Sequence, residues 1–186
     1  MTEKILILDF GSQYTQLIAR AVREASVYCE IIPFNKEIVY SADVKGIILG
    51  GSPFSVNEEK APQADVKSMS EKLHVLGICY GAQLLAKNAG GKISPAFSRE
   101  YGRAKLNIFN SNRLFEGVEN DSIVWMSHGD TITDYPVEFK VTASTEDVKC
   151  AAYIIENELT FGIQFHPEVA HTVEGKKMLA NFIYDI

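Results

Sequence analysis

His74-Val75-Leu76-Gly77-Ile78-Cys79-Tyr80-Gly81-Ala82-Gln83-Leu84-Leu85 decides how this 186-residue chain is read. A strand-length apolar run enters Gly-x-Cys-x-Gly and passes at once into a helix-forming segment, Ala82 to Asn88. This is the pattern of a nucleophile elbow, with Cys79 where many hydrolases carry serine. Gly77 and Gly81 permit the tight turn, since a side chain on either is expected to crowd the nucleophile. The helix N-terminus beneath Cys79 favours negative charge and so raises the thiolate fraction. Gln83 lies one helical turn further on and projects toward the same mouth. A cysteine between two glycines is in general a small packing residue. Strand, glycines and helix falling together make Cys79 the candidate nucleophile instead.

Around the elbow, strand and helix signals alternate. Lys4 to Phe10, Val27 to Pro33, Val44 to Leu49 and His74 to Ile78 read as strands, the first buried on both faces. Ser12 is placed to cap a helix with Leu17, Ile18, Ala21, Val22 and Ala25 at helical spacing, and Ala64 to Leu73 reads as a polar-faced helix. This alternation predicts βαβ units and a parallel sheet. In the second half, Ala104 to Phe109, Ser122 to Met126, Phe139 to Ser144, Cys150 to Ile155 and Thr160 to Phe165 are strand-like, mostly with turn-length joins. They predict a partly antiparallel sheet beside the parallel core. Val173 to Ile186 closes the chain as a helix with Met178, Leu179, Phe182 and Ile183 on one face. Residues 1–186 therefore read as one α/β domain: a mostly parallel central sheet flanked by helices, with a smaller antiparallel sheet in the second half.

Composition narrows the function classes. The chain is 46% hydrophobic and 23% charged, as globular proteins are, and its formal charge of -6 argues against a nucleic-acid binder. Its longest apolar runs, such as Ile5-Leu6-Ile7-Leu8, are strand-length and predict no membrane span. Met1-Thr2-Glu3-Lys4 lacks the basic and apolar regions of a secretory signal. Three scattered cysteines make neither a disulfide scaffold nor a metal knuckle. A cytoplasmic protein is the simplest expectation.

A nucleophilic cysteine needs a base, and His166 in Gln164-Phe165-His166-Pro167-Glu168 is the candidate. In an extended chain His166 and Glu168 face one way, and Pro167 biases His166 toward that conformation. Glu168 can then hold the imidazole and stabilise its protonated form. Alone, the tripeptide also fits an exposed turn; beside the Cys79 elbow it completes a Cys-His-acid set. Leu49-Gly50-Gly51-Ser52-Pro53 ends a strand in a glycine pair able to aim N–H groups at a developing oxyanion. A phosphate loop is disfavoured there, because neither Gly-Lys-Ser/Thr nor Gly-x-Gly-x-x-Gly follows. Asp9-Phe10-Gly11 has no companion kinase motifs and is set aside. Trp125-Met126-Ser127-His128-Gly129-Asp130 reads as a strand ending in small and polar residues suited to a zwitterionic substrate. His128 is a rival base, but Asp130, the acid two residues on, is not expected to face it in an extended context; His74 and His171 read as structural, and a zinc site is not expected.

The elbow and the Gln-x-His-Pro-Glu segment together resemble the class I (triad) glutamine amidotransferases. The opening Leu8-Asp9-Phe10-Gly11-Ser12-Gln13-Tyr14-Thr15-Gln16-Leu17-Ile18-Ala19-Arg20 resembles the GMP synthetase branch. Gly50-Gly51-Ser52-Pro53, Glu100 to Ala104, Trp125 to Asp130 and Glu168 to Thr172 fit it too, so the resemblance covers essentially the whole chain. It implies glutamine hydrolysis to glutamate and ammonia through a thioester on Cys79, with His166 as base and Glu168 as its orienting acid. Backbone N–H groups of Gly51 and Tyr80 would form the oxyanion hole. Gln83, Ser127, Gly129 and Asp130 would bind the glutamine backbone, with Asp130 on its ammonium group. The resemblance implies no metal or organic cofactor in this chain. ATP and Mg²⁺ would serve an ATP-pyrophosphatase domain or subunit that converts XMP to GMP, whose phosphate loop this chain lacks. Whether the chain stands alone or is one domain of a longer enzyme stays open at this point. The resemblance also suggests Phe97 to Arg103 and the loop around Asn57 as parts of a domain interface. It leads us to expect weak activity without the synthetase partner. Three alternatives stand beside it: a glutaminase subunit serving a chorismate-using synthase, a non-catalytic binding module, and a redox or hydrolase protein with a Cys elbow.

Overall fold

The computed structural model describes residues 2–110, 112–155 and 159–184, with the side chains of all of these except 97–100. Strand β1 (Lys4–Asp9) sets the frame, because its central residues alternate between two cores. Ile5 and Ile7 belong to one core with Ile18 and Val22 of α1 (Thr15–Glu24) and with Met178, Leu179, Phe182 and Ile183. Leu6 and Leu8 belong to the other, with Val66, Met69, Ala82, Leu84 and Leu85. Burying each such side chain contributes on the order of 2 kcal/mol, which explains a strand apolar on both faces.

The central sheet runs β2 (Tyr28–Pro33), β1, β3 (Val44–Leu49), β4 (His74–Ile78), β10 (Thr160–Ile163), β9 (Ala152–Ile155), β8 (Phe139–Ser144) and β6 (Asn107–Ile108). The first five are parallel and the last three pair antiparallel. Strands β8, β9 and β10 thus extend the central sheet instead of forming a sheet beside it. The separate antiparallel sheet is a two-stranded ribbon of β5 (Lys92–Lys105) and β7 (Ile123–Asp134), longer than the sequence predicts. Gly162 lets β10 lie beside β9: a Cβ there would stand 2.2 Å from the Tyr153 ring.

The helices differ from expectation mainly at their starts. Tyr14, not Ser12, occupies the cap position of α1, without a side-chain cap. Asp9 Oδ1 accepts from Gly11 N–H and from the Thr15 hydroxyl, both at 2.9 Å, while Ser12 Oγ accepts from Tyr14 N–H at 3.1 Å. These bonds fold the segment into a turn over the end of β1. Helix α2 (Val66–Ser70) is shorter than predicted and is capped by Asp65. Helix α3 (Tyr80–Asn88) starts directly after Cys79. Helix α4 (Gly175–Tyr184) buries Met178, Leu179, Phe182 and Ile183; the last two residues predicted for it lie outside the described residues. No helix among the described residues is long and apolar enough to cross a membrane. The carboxyl ends of β1, β3 and β4 meet at one edge, the place where open α/β sheets carry their sites.

Candidate active site

Cys79 sits between β4 and α3 with φ 52° and ψ −104°. A non-glycine residue in this region costs on the order of 1–3 kcal/mol and persists only where its surroundings impose it. Here Cys79 N–H donates to Ile163 O at 2.8 Å, and Cys79 O accepts from Gln83 N–H at 3.1 Å. The flanking glycines serve the same turn. A Cβ on Gly81 would stand 2.4 Å from Leu49 O, and one on Gly77 would stand 2.7 Å from Ala82 N. The nearest clashes are with strand and helix backbone, so the glycines let α3 press onto the sheet. Gly81 N–H donates to Gly50 O at 3.1 Å, which joins the elbow to the glycine pair. Among the described residues, the N–H groups of Gly51 and Tyr80 have no acceptor.

The predicted base arrives from the end of β10. Pro167 and Glu168 lie in a turn, not in the extended chain expected, yet His166 Nδ1 and Glu168 Oε1 are 2.6 Å apart. Both side chains are buried. Burial pushes the His166 imidazole down, but the charge and hydrogen bond of Cys79, then the bond and charge of Glu168, outweigh it. The net effect holds His166 well above the usual imidazole range. Its main chain is held too: His166 N–H donates to Trp125 O at 3.0 Å. The Thr172 hydroxyl donates to His166 O at 2.5 Å and accepts from Trp125 N–H at 3.0 Å.

Cys79, His166, Gly51, Tyr80, Gln83, Ser127, Gly129 and Asp130 line one cleft of about 690 Å³. Glu168 stands behind His166, off the cleft wall. Every site residue predicted from sequence is therefore brought to one place. Ser127 to Asp130 lie inside β7, which continues past the end predicted for it. Cys79 Sγ lies 3.8 Å from Ser127 O, and Gln83 Nε2 donates to Asp130 O at 2.8 Å. Gln83 is thus engaged in fixing the main chain of β7 as well as facing the cleft. His128, the rival base, is buried with Nδ1 2.8 Å from Asp130 O. Burial pushes its imidazole down to about 4, so it stays neutral near pH 7. His171 packs against the Trp125 ring at a tilt of 34°, with centroids 4.6 Å apart. Among the described residues, no group of three His, Cys, Asp or Glu side chains is placed to hold a metal ion.

Residues 6–186 match the family model described as glutamine amidotransferase class-I. The chain belongs to the class-I glutamine amidotransferase family. It is 59% identical over its whole length to the glutamine-hydrolysing GMP synthase of Cytophaga hutchinsonii, and 56% identical to that of Bacteroides fragilis. The chain spans 37% of the length of each of these relatives. A solved structure from Thermoplasma acidophilum, provisionally assigned as one of the subunits of a GMP synthase, superposes with a TM-score of 0.87 at 30% identity. That match covers 99% of this chain and 94% of the other.

This amidotransferase cleft also has walls to which the sequence reading gave no role at the site. Ser12, Gln13 and Tyr14 line it from the turn after β1, and Phe54, Ser55 and Glu58 from the loop after β3. Tyr14 meets the His166 ring edge-on, with centroids 5.0 Å apart at 70°. Of the segment expected at a domain interface, Tyr101 lines the cleft and is 62% exposed. The side chains of residues 97–100 in that segment lie outside the described residues. Asn57, expected near the same interface, donates from Nδ2 to Ile93 O at 2.9 Å.

Proposed function

We propose that this chain hydrolyses the side-chain amide of glutamine on Cys79 and delivers ammonia to a GMP-forming synthetase. The observation that carries the reading is the set Cys79, His166 and Glu168 at a strained elbow, with His166 raised above the usual imidazole range by its two neighbours. A raised imidazole beside a thiol favours the thiolate–imidazolium pair. The thiolate attacks the carboxamide carbon, and the oxyanion forms against the N–H groups of Gly51 and Tyr80. The His166 imidazolium gives its proton to the amide nitrogen, the C–N bond breaks and ammonia leaves. Neutral His166 then takes a proton from the water that attacks the thioester. Breakage of the C–S bond releases glutamate and restores the pair. Glu168 orients His166 throughout. Ser127, Gly129 and Asp130 hold the amino-acid end, with Asp130 facing the ammonium group, and Gln83 supports that strand. These steps need no metal or organic cofactor from the chain.

Identity with glutamine-hydrolysing GMP synthases over the whole chain supports the choice of acceptor. Within that reading an ATP-pyrophosphatase domain or subunit binds XMP, ATP and Mg²⁺ and receives the ammonia. Three free, buried cysteines are consistent with the reducing cytoplasm as the compartment. The deciding test is mass spectrometry after reaction with a glutamine-like electrophile, with and without excess glutamine. The reading expects an adduct on Cys79 alone, absent when glutamine is present. Labelling of Cys29 or Cys150 instead, in the presence of the synthetase and XMP, would overturn it. Glutamate release should rise when the synthetase part is loaded with XMP and ATP; equal release in both states counts against coupling.

A further inference from the structure

We infer that Ser55 is a positioning residue for the substrate's α-ammonium group and ties its recognition to the loop carrying Gly51. The inference deepens the glutamine-hydrolysis reading and rests on Asp130 as the partner of that ammonium group. The Ser55 hydroxyl donates to Asp130 Oδ2. Its oxygen accepts from Asn57 N–H at 3.1 Å, which leaves the hydroxyl proton for the carboxylate. One carboxylate oxygen is thereby fixed, and the other stays available to a ligand in the cleft that Asp130 lines.

The loop behind Ser55 is held along its length. Ser52 Oγ donates to Phe10 O at 2.9 Å, Ser55 N–H to Glu58 Oε1 at 2.7 Å, and Asn57 Nδ2 to Ile93 O at 2.9 Å. Lys87 Nζ donates to Val56 O. Among the described residues, Ser55–Asp130 is the one side-chain hydrogen bond joining this loop to β7. The loop begins at Gly51, which lies beside the base: a Cβ there would be 3.5 Å from His166 Cε1. An ammonium group drawn to Asp130 therefore acts, through Ser55, on the segment that aims Gly51 N–H. Binding energy gained at the non-reacting end of the substrate is in this way applied where charge develops.

The test compares kcat and KM for glutamine and for glutaramate, which lacks the α-amino group. It uses the full enzyme with its synthetase part, as wild type, Ser55→Ala, Ser55→Thr and Asp130→Asn, each checked by thermal unfolding. Loss of a hydrogen bond to a charged group is expected to raise KM for glutamine about tenfold in Ser55→Ala. The kcat advantage of glutamine over glutaramate should also shrink in that variant, and Ser55→Thr should recover both. A merely structural role would weaken the two amides alike. If Asp130→Asn penalises glutamine alone while Ser55→Ala treats both amides equally, the role of Ser55 is overturned and the ammonium reading stands. If Asp130→Asn penalises both amides equally, the ammonium reading itself falls.

Discussion

Glu168 Oε1 lies 2.6 Å from His166 Nδ1, and the two side chains are 0% and 4% exposed. A buried carboxylate at that nitrogen keeps the proton on Nδ1 and leaves Nε2 for Cys79. Glu168→Gln preserves the shape and removes the charge. We expect kcat/KM for glutamine to fall about a hundredfold. One of the influences that raise His166 is then gone, so the imidazolium deprotonates at lower pH. The alkaline limb of the pH–rate profile should move to lower pH, and the His166 imidazolium should be seen by NMR to lose its proton over the same lower range. An alkaline limb that stays in place would remove Glu168 from this role.

The elbow was legible because its requirements are local. Gly77, Cys79 and Gly81 follow one another, and their clashes are with backbone a few residues away or on the adjoining strand. His166 and Glu168 were legible for a weaker reason, since they meet through a turn and not through the strand geometry that pointed to them. The ribbon was not legible over most of its length. Strand β5 contains Pro95 and Gly102, its register shifts between Pro95 and Glu100, and Tyr101 faces outward. No apolar alternation marks such a strand. Tyr14, Ser55 and Glu58 line the cleft because two loops, after β1 and after β3, meet at the sheet edge. Their place is set by tertiary contacts such as Tyr14 on His166 and Ser55 on Asp130, and polar loop residues carry no periodic signal of that.

The pH dependence of stability should carry the signature of His128. Its folded value of about 4 lies below the free imidazole value, chiefly through burial. Between the two values the unfolded chain holds a proton that the native chain does not. Stability is therefore full above about pH 6.5 and declines as pH falls toward 4, by up to about 1.4 kcal/mol per pH unit. His166 has the opposite sign: its contribution is full below about pH 6.5 and is lost as pH rises through its raised folded value. It cannot cause a loss on the acid side. Glu174, held low by Lys177, adds its own loss only at about pH 4.5 and below. Urea unfolding of the parent and His128→Gln from pH 7 to 5 should give a flatter slope in the variant; parallel slopes would rule out His128 as the source.

The glycines of the site are not equivalent, and alanine should separate them. At Gly81 the new methyl would stand 2.4 Å from Leu49 O and 2.6 Å from Leu49 Cβ, with strand backbone unable to retreat. Gly81→Ala should cost about 3 kcal/mol or more, or abolish folding. At Gly51 the nearest atoms are Ser12 Oγ at 3.4 Å and His166 Cε1 at 3.5 Å, ordinary contact distances, and its φ is not among the positive values. Gly51→Ala should fold with a stability change under about 1 kcal/mol. It also keeps the N–H assigned to the oxyanion. Chemical denaturation of both variants provides the comparison, and similar losses at the two positions would refute it.

Thr172 bridges the chain that carries the base and the strand that carries the amino-acid end of the site. Its hydroxyl donates to His166 O at 2.5 Å and accepts from Trp125 N–H at 3.0 Å, in a residue only 4% exposed. Valine has the same shape and neither bond. Thr172→Val leaves the hydroxyl's two backbone partners without it, at a cost of about 1–3 kcal/mol. Because His166 also donates its N–H to Trp125 O, the two segments should remain in contact and the variant should fold. The expected result is a lower unfolding midpoint, reported by the fluorescence of Trp125, the single tryptophan of the chain. A fall in kcat larger than any change in KM should accompany it, since His166 loses its alignment on Cys79. Thr172→Ser keeps the hydroxyl and should restore most of both. If serine and valine behave alike, the methyl group and not the hydroxyl is what holds the segment.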